Sequence, residues 1–206
     1  DIDLRLSERR VGIIGANGSG KSTLVRLFNG LLLPSRGDVL VDGLSTRRQG
    51  KDVRRKVGFV FQNPDNQIVY PTVAEDLAFG LKSLGRSKTE TAEMVDQCLA
   101  LYALNHLKSR LTHQLSEGEK QMVAIAGVTI MKPEYIVFDE PTTLLDLGNK
   151  DKIMRTIHTL AQSVVLVSHD LDLLADFDRL LCIHDGRVHD DGKPDAVISS
   201  YRKLFA

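Results

Sequence analysis

The chain has 206 residues, and its 27 lysines and arginines balance 27 aspartates and glutamates, so the formal net charge at pH 7 is zero. This balance excludes the bulk positive charge typical of nucleic-acid binders, although it leaves room for a local basic patch. With 42% hydrophobic and 26% charged residues, the composition is that of a globular protein and excludes a disordered or fibrous chain.

The longest apolar runs are far shorter than a membrane span requires, and Asp1 to Arg5 alternate charged and aliphatic residues, unlike a secretory signal. We therefore expect a soluble, cytosolic chain that reaches a membrane only through partners. Cys98 and Cys182 lie among apolar neighbours in no metal-like or redox-like spacing, which predicts two buried thiols in a reducing compartment.

The first elements of the chain are typical of an α/β nucleotide-binding fold. Residues 2–6 alternate in polarity, which predicts a half-exposed strand, and residues 11–14 predict a buried strand of a parallel sheet. A glycine-rich turn over 15–23 follows directly, and a helical pattern begins at Leu24. Strand, turn and helix in this order open many nucleotide-binding domains.

The rest of the chain separates into strand-rich and helix-rich parts. Further strands are predicted at 39–41, 57–61, 135–138 and 164–167, followed by a hairpin of 180–183 and 187–188 joined at Asp185-Gly186. From about 73 to 131 the pattern is helical, with a capping-box spacing at Ser87 and Glu90. Because no Gly/Pro/Ser-rich linker is present, we predict one domain over 1–206: a core at about 1–70 and 132–206, with a helical subdomain inserted at about 71–131.

The glycine-rich turn carries the strongest chemical signal. Residues 15–22 fit the pattern G-x-x-x-x-G-K-[ST] between a buried strand and a helix. Glycines permit positive φ, so that successive amides turn inward around a triphosphate, and the helix adds its N-terminal dipole. Lys21 is expected to neutralise the β- and γ-phosphates, and Ser22 offers a hydroxyl to Mg²⁺.

Two carboxylates end the predicted strand 135–138. Asp139 is placed to hold the hydration shell of Mg²⁺, and Glu140 is placed to polarise an attacking water. Each role depends on the glycine-rich turn, because an acidic strand end by itself is common.

Three further residues or motifs are ambiguous when taken alone. His169 follows a buried strand and can contact the γ-phosphate or orient Glu140, although a lone strand-end histidine is more often structural. Gln62 can bind Mg²⁺ or water and report phosphate occupancy. Ser116 and Glu119 have capping-box spacing, which fits either a plain capped helix or an anion site at its N-terminus.

The order of these motifs resembles that of the ABC ATPases over nearly the whole chain. This resemblance implies an α/β P-loop NTPase fold with a RecA-like core, a mixed sheet and an inserted α-helical subdomain. Residues 61–69 and 72–81 are similar to the ATPases of energy-coupling-factor importers for vitamins and metals. Within that group, residues 139–146 resemble the biotin-import ATPases, so biotin is the favoured solute.

The resemblance also implies a role for each matching residue. Expected nucleotide contacts come from Asn17, Gly18, Ser19, Gly20, Lys21, Ser22 and Thr23. Expected catalytic residues are Glu140, His169 and Gln62, and Mg²⁺ is expected at Ser22, Gln62 and Asp139. Ser116, Gly118 and Glu119 form the signature motif that closes over ATP held by a second subunit, and Asp146 is the D-loop residue that touches this subunit.

The implied partners are a second ABC ATPase subunit, identical or paralogous, a transmembrane coupling subunit and a substrate-binding membrane protein. These partners would hold the chain at the cytoplasmic face of the membrane, with ATP as substrate and Mg²⁺ as cofactor. No nucleic acid is expected, and the transported solute is set by the separate membrane protein.

Three departures from the family pattern need an explanation. The signature reads Leu-Ser-Glu-Gly-Glu instead of Leu-Ser-Gly-Gly-Gln, so Glu117 must point away from phosphate or weaken its binding, while Glu119 can keep the capping role. Leu144 to Leu147 replace a small-residue pattern that ends in proline. The strand and aromatic residue that stack on adenine are expected upstream of Asp1.

Two alternatives remain beside an importer subunit. The first is a soluble ABC-type ATPase that acts on nucleic acid or ribosomes, supported only by the basic residues between Arg47 and Lys56. The second is a nucleotide-bound scaffold with little turnover, suggested by Glu117 and the unusual D-loop.

Overall fold

The computed structural model describes residues 2–204, and within them eight strands and seven α-helices form. The strands are β1 (Arg10–Ile14), β2 (Leu40–Val41), β3 (Leu44–Ser45), β4 (Val57–Val60), β5 (Tyr135–Asp139), β6 (Ser163–Val167), β7 (Arg179–His184) and β8 (Arg187–Gly192). The helices are α1 (Lys21–Phe28), α2 (Gly50–Lys56), α3 (Val73–Ser83), α4 (Lys88–Leu101), α5 (Glu117–Thr129), α6 (Leu147–Thr159) and α7 (Pro194–Lys203).

The chain divides into two compact units. The first contains residues 1–59, 134–140 and 156–206, and the second contains 60–133 and 141–155. Two of the four boundaries therefore pass through β4 and α6, and the other two flank β5. The sequence-based division at about 71 and 131 stays a prediction.

The large sheet has the strand order β4-β5-β6-β1-β7-β8. Strands β5, β6, β1 and β7 are parallel neighbours, whereas β8 runs antiparallel to β7. All five residues of β1 are buried, as expected for a strand covered on both faces. Since β5, β6 and β1 are adjacent and parallel, their carboxyl ends lie at one edge of the sheet, where ligands bind in open α/β folds.

The predicted hairpin is confirmed. Strands β7 and β8 pair antiparallel across Asp185 and Gly186, whose φ values are 47° and 71°. Positive φ at both central residues is the geometry of a type I′ turn, which Asp-Gly favours.

The strand predicted for residues 2–6 is wrong. These residues form no regular structure, and no strand among residues 2–204 pairs with them. Exposure follows polarity only from Asp3 to Leu6, because Ile2 is exposed as well, and a strand also needs a neighbour for its backbone groups. The carbonyl of Arg5 accepts a hydrogen bond of 2.9 Å from the Arg179 guanidinium instead.

In the second unit, helices α3, α4 and α5 supply the helical content predicted for 73–131. Capping boxes start α4 at Ser87 and Glu90, as predicted, and α3 at Thr72 and Glu75. Nine of the 13 residues of α5 are buried, so this helix lies at the centre of the unit's core. Within the described residues, every helix is too short or too polar to cross a membrane.

Candidate functional site

The loop between β1 and α1 is shaped by its glycines. Gly15, Gly18 and Gly20 have φ values of 149°, 77° and 102°, in the region that other residues rarely adopt. A side chain at Gly15 would also collide with the backbone carbonyl of Ile183. The amide of Gly186 donates a 3.0 Å hydrogen bond to the Ser19 carbonyl, so the β7–β8 turn helps to hold the loop.

The N-terminus of α1 has the features of an anion-binding site. Gly20 occupies the N-cap position, no side chain caps the helix, and its first turn carries no acidic residue. The first amides of an uncapped helix lack intrahelical partners and attract phosphate groups. The hydroxyl of Ser19 is buried without a hydrogen-bond partner among the described residues, so the loop also has an unused polar group.

Lys21 lies over the same loop. Its side chain is almost fully buried, and Nζ donates two hydrogen bonds of 2.9 Å to the carbonyls of Gly15 and Ala16. Because these partners are neutral carbonyls, they leave the charge of the ammonium available for an anion.

Asp139 ends β5 with a buried carboxylate, 2% exposed, that has two partners in the first unit. Its Oδ1 accepts a 2.8 Å hydrogen bond from the hydroxyl of Ser22, and its Oδ2 lies 3.4 Å from Arg26 Nη2. A hydroxyl and a carboxylate side by side are the hard oxygen donors that Mg²⁺ prefers, so these residues fit that ion.

Glu140 and His169 follow β5 and β6 at the same edge. Glu140 has φ of 50°, which is strained for a residue with a side chain, and its amide donates to the Val167 carbonyl at 3.1 Å. Nδ1 of His169 lies 3.3 Å from Oε2 of Glu140. The carboxylate is largely buried and the imidazole is half exposed, so the pair lies at the mouth of the site.

The first unit therefore gathers the loop residues, Ser22, Asp139, Glu140 and His169, as the sequence predicts. The structure adds two residues that the sequence analysis missed, Arg26 beside Asp139 and Gly186 beside the loop. Arg26 lies four residues after Ser22 on one face of α1, a spacing that points to such a contact.

In the second unit, Gln62 is exposed just after β4. The residues beside it are fixed to α5, because Gln67 accepts from the amide of Phe61 at 3.2 Å and donates to the carbonyl of Ala124 at 2.7 Å. Sequence analysis did not single out Gln67, whose partner Ala124 is distant in the chain.

The signature motif starts α5 with a complete capping box. Ser116 donates from its amide and its hydroxyl to Oε2 of Glu119, at 2.8 and 2.9 Å, and the amide of Glu119 donates back to the hydroxyl. Glu119 therefore has the capping role that was expected for it. Hydrogen bonds from Ser116 also lower the pKa of Glu119, because they favour its charged form.

Glu117 is paired as well. Its carboxylate accepts from Lys120 at 3.1 Å, and Lys120 lies 2.9 Å from Asp65. The extra acid of this signature thus shares a cation with Asp65, and that cation reduces its repulsion toward a phosphate.

Around Asp146 the chain is exposed and partly strained. Leu144 has φ of 72°, and both Leu144 and Leu147 are more than 80% exposed. Asp146 instead is held by Asn149, which donates from its backbone amide at 2.9 Å and from Nδ2 at 2.7 Å. Sequence analysis did not identify Asn149.

Comparison with known proteins identifies the family of this chain. Residues 1–143 match the family described as ABC transporter. The chain belongs to this family. The chain is therefore an ABC ATPase, which binds ATP and couples its hydrolysis to transport, and the predicted ABC ATPase fold is confirmed.

Relatives cover almost the whole chain. A protein of Bartonella quintana, named only as an ABC transporter ATP-binding protein, is 57% identical over 98% of this chain and 89% of its own length. The biotin transport ATP-binding protein BioM of Rhizobium etli is 42% identical over 100% of this chain and 91% of its own. The energy-coupling factor transporter ATP-binding protein EcfA1 of Caldanaerobacter subterraneus subsp. tengcongensis is 43% identical, with coverages of 99% and 76%.

Among solved structures, the ATP-binding cassette MJ0796 superimposes with a TM-score of 0.85 at 31% identity. The match covers 94% of this chain and 89% of that one. That cassette was solved as a dimer in a post-hydrolysis state with bound ADP and Pi.

Proposed function

We propose that this ABC ATPase powers a membrane importer of the energy-coupling-factor type and acts at the cytoplasmic face of the membrane. The observation that carries the enzymatic part is one sheet edge, where Ser22 lies 2.8 Å from Asp139 and His169 lies 3.3 Å from Glu140. The groups that we propose to bind phosphate and to activate water thus lie together in the first unit.

ATP phosphates are proposed to bind the loop and the start of α1. The amides of Asn17, Gly18, Ser19 and Gly20 would surround the phosphates, with Thr23 and the hydroxyl of Ser22 completing the contacts. Lys21 would add its charge by turning Nζ from the loop carbonyls toward the β- and γ-phosphates. An ammonium on a flexible stem makes this movement easily.

The Mg²⁺ ion is proposed to be held by Ser22 and Asp139, and the family resemblance implies Gln62 as a further ligand. Bound there, the ion would neutralise negative charge on the phosphate oxygens. Asp139 is already oriented by its two partners, and Arg26 balances its charge in the structure described here.

Glu140 is proposed to activate the attacking water. With its proton on Nδ1, His169 donates to Oε2 of Glu140 and orients the carboxylate, which then accepts a proton from water. The left-handed backbone at Glu140 sets the direction of this carboxylate.

A second ATPase subunit is proposed to complete the site. Ser116, Gly118 and Glu119 would contact ATP held by that subunit, and Asp146 would contact the subunit itself. The dimeric state of MJ0796 with ADP and Pi supports this arrangement. ATP would then favour the closed dimer, and hydrolysis would release it.

The proposed importer class and the proposed solute are inferred from the names of related proteins. Names of relatives refer to biotin transport and to an energy-coupling factor transporter, which supports an importer and makes biotin the favoured solute. A transmembrane coupling subunit and a substrate-binding membrane protein are the proposed partners.

The basic residues between 47 and 56 do not favour a nucleic-acid role. Three of them are paired with acids: Arg48 with Asp38, Arg55 with Asp52, and Lys56 with Asp42 and Glu134. Paired cations have less charge to offer to a phosphate backbone.

Purification from membranes tests the proposal. The tagged full chain should co-purify with integral membrane proteins, and the complex should hydrolyse ATP and take up labelled biotin after reconstitution into vesicles. The Lys21→Ala chain is the control, because it should assemble and yet support neither activity. Absence of a membrane partner would contradict the importer role. Uptake of another vitamin or of a metal would contradict only the assignment of biotin as the solute.

A further inference from the structure

In the second unit, the N-termini of α5 and α6 come together at two residues. The side chain of Asn149, in the first turn of α6, packs directly against the Cα of Gly118 in α5. A Cβ added at Gly118 would overlap the Asn149 carboxamide and lie 2.8 Å from its Nδ2. Contacts this short do not occur between folded groups, so the two residues fit each other closely.

The backbone does not explain why residue 118 is glycine. Its φ lies outside the left-handed region, and the first turn of a helix normally favours alanine over glycine. Within the described residues, the carboxamide of Asn149 is the group that a side chain at this position would meet.

Asn149 is itself anchored to Asp146. Its Nδ2 donates to Oδ2 of Asp146 at 2.7 Å, and its backbone amide donates to Oδ1 at 2.9 Å. Both carboxylate oxygens are thus bound by a single residue, and these hydrogen bonds lower the pKa of Asp146. An asparagine that moved away from Gly118 would have to break the bond from Nδ2.

We propose that Asn149 is a positioning residue that fixes Asp146 relative to the signature motif through Gly118. The inference rests on the proposed function, in which both groups meet the second subunit when ATP closes the dimer. Groups that are held in one geometry before association lose less conformational entropy when they associate. The contact therefore lowers the free-energy cost of closing the dimer.

The first experiment uses the chain without nucleotide. The pKa of Asp146, followed by carboxylate NMR, should rise in Asn149→Ala, because the Nδ2 hydrogen bond is lost. It should also rise in Gly118→Ala, because the new methyl group displaces the carboxamide. In the double variant, Gly118→Ala should add nothing to the effect of Asn149→Ala, since residues that act through one contact are not additive.

A matched control comes from the same helix. Gly127→Ala places the same methyl group on α5, where its nearest neighbour is Leu77 at an ordinary 3.8 Å. This variant should leave the titration of Asp146 unchanged.

The second experiment measures closure of the dimer. Asn149→Asp keeps the volume at Gly118 but replaces the donor by a carboxylate beside Asp146. In a Glu140→Gln background, it should weaken ATP-driven association at least tenfold in sedimentation, while ATP affinity of the isolated chain stays within twofold. With Glu140 intact, kcat should fall at least tenfold while KM changes little.

The experiments distinguish a failure of the role of Asn149 from a failure of the proposed function. An Asp146 titration unchanged in Asn149→Ala, or normal ATP-driven association in Asn149→Asp, would overturn the role of Asn149. A Glu140→Gln chain that never associates with ATP would overturn the proposed function and this role with it, while the NMR titration would still report the contact itself.

Discussion

Nδ1 of His169 lies 3.3 Å from Oε2 of Glu140, although 29 positions separate the two residues in the chain. The contact arises because β5 and β6 are parallel neighbours in register, with Asp139 opposite Val167. Each residue follows the end of its strand, so the sheet alone brings them together. The sequence leaves the role of His169 open, and this contact gives the residue a specific partner.

The first prediction concerns turnover. Glu140→Gln should retain ATP binding but reduce kcat by roughly 10²–10⁴-fold, because an amide cannot accept the proton of the attacking water. Dimers with bound ATP should then accumulate and be visible by sedimentation. Glu134→Gln is the control at the other end of β5, where the exposed carboxylate pairs only with Lys56 among the described ion pairs. Unchanged hydrolysis in Glu140→Gln would remove Glu140 from the mechanism.

Much of this site is predictable because its residues are local in sequence. The loop over 15–23, the carboxylates after β5 and the histidine after β6 each follow an apolar strand, and parallel pairing brings them together. The failed prediction, a strand at 2–6, shows the limit of alternation, which does not specify a pairing partner. Arg26 and Asn149 were missed for a related reason: the residues that they contact, Asp139 and Gly118, are distant from them in the chain.

The second prediction concerns nucleotide binding. Lys21→Ala should weaken ATP binding at least tenfold, since it removes a buried cation beside the loop and leaves the carbonyls of Gly15 and Ala16 without this donor. Titration with a fluorescent ATP analogue measures the change. Lys51→Ala, an exposed lysine on α2, is the matched control and should bind as the parent does. Equal affinity in both variants would show that nucleotide does not bind this loop.

The third prediction concerns the charge balance at Asp139. Arg26→Gln leaves a 2% exposed carboxylate without its cation. Because the Arg26 side chain is itself 43% exposed, the free energy of unfolding without ligand should fall by only about 1–2 kcal/mol. With saturating ADP and Mg²⁺ the deficit should shrink, because a metal at Asp139 then replaces the lost charge. Urea denaturation with and without ligand measures both values. A deficit that stays constant would show that Arg26 and the metal do not exchange at this carboxylate.

The fourth prediction concerns the thiol of Cys98. Burial raises its pKa to about 11, and its Sγ donates to the Ala126 carbonyl at 3.7 Å. At pH 8 only about one thiol in a thousand is then ionised, so iodoacetamide should modify the folded chain far more slowly than the urea-unfolded chain.

Because the folded chain keeps the proton of the Cys98 thiol to a higher pH, the free energy of unfolding should also fall as pH rises from about 9 to 11. Cys98→Ala should remove this part of the pH dependence, and an equal slope in that variant would contradict the assignment.

The fifth prediction concerns Arg10, a buried guanidinium that stabilises the end of α6. Its Nη2 donates to the Leu160 carbonyl at 2.6 Å and its Nη1 to the Gln162 carbonyl at 2.7 Å, so it satisfies acceptors just past the last helical turn. Arg10→Met keeps most of the volume but leaves these carbonyls without a charged donor, and the free energy of unfolding should fall by about 2–4 kcal/mol. Arg155→Met, on the exposed face of the same helix, should cost under about 0.5 kcal/mol, because its ion pair with Asp151 is solvated. Equal losses in the two variants would show that the carbonyls at the end of α6 do not depend on Arg10.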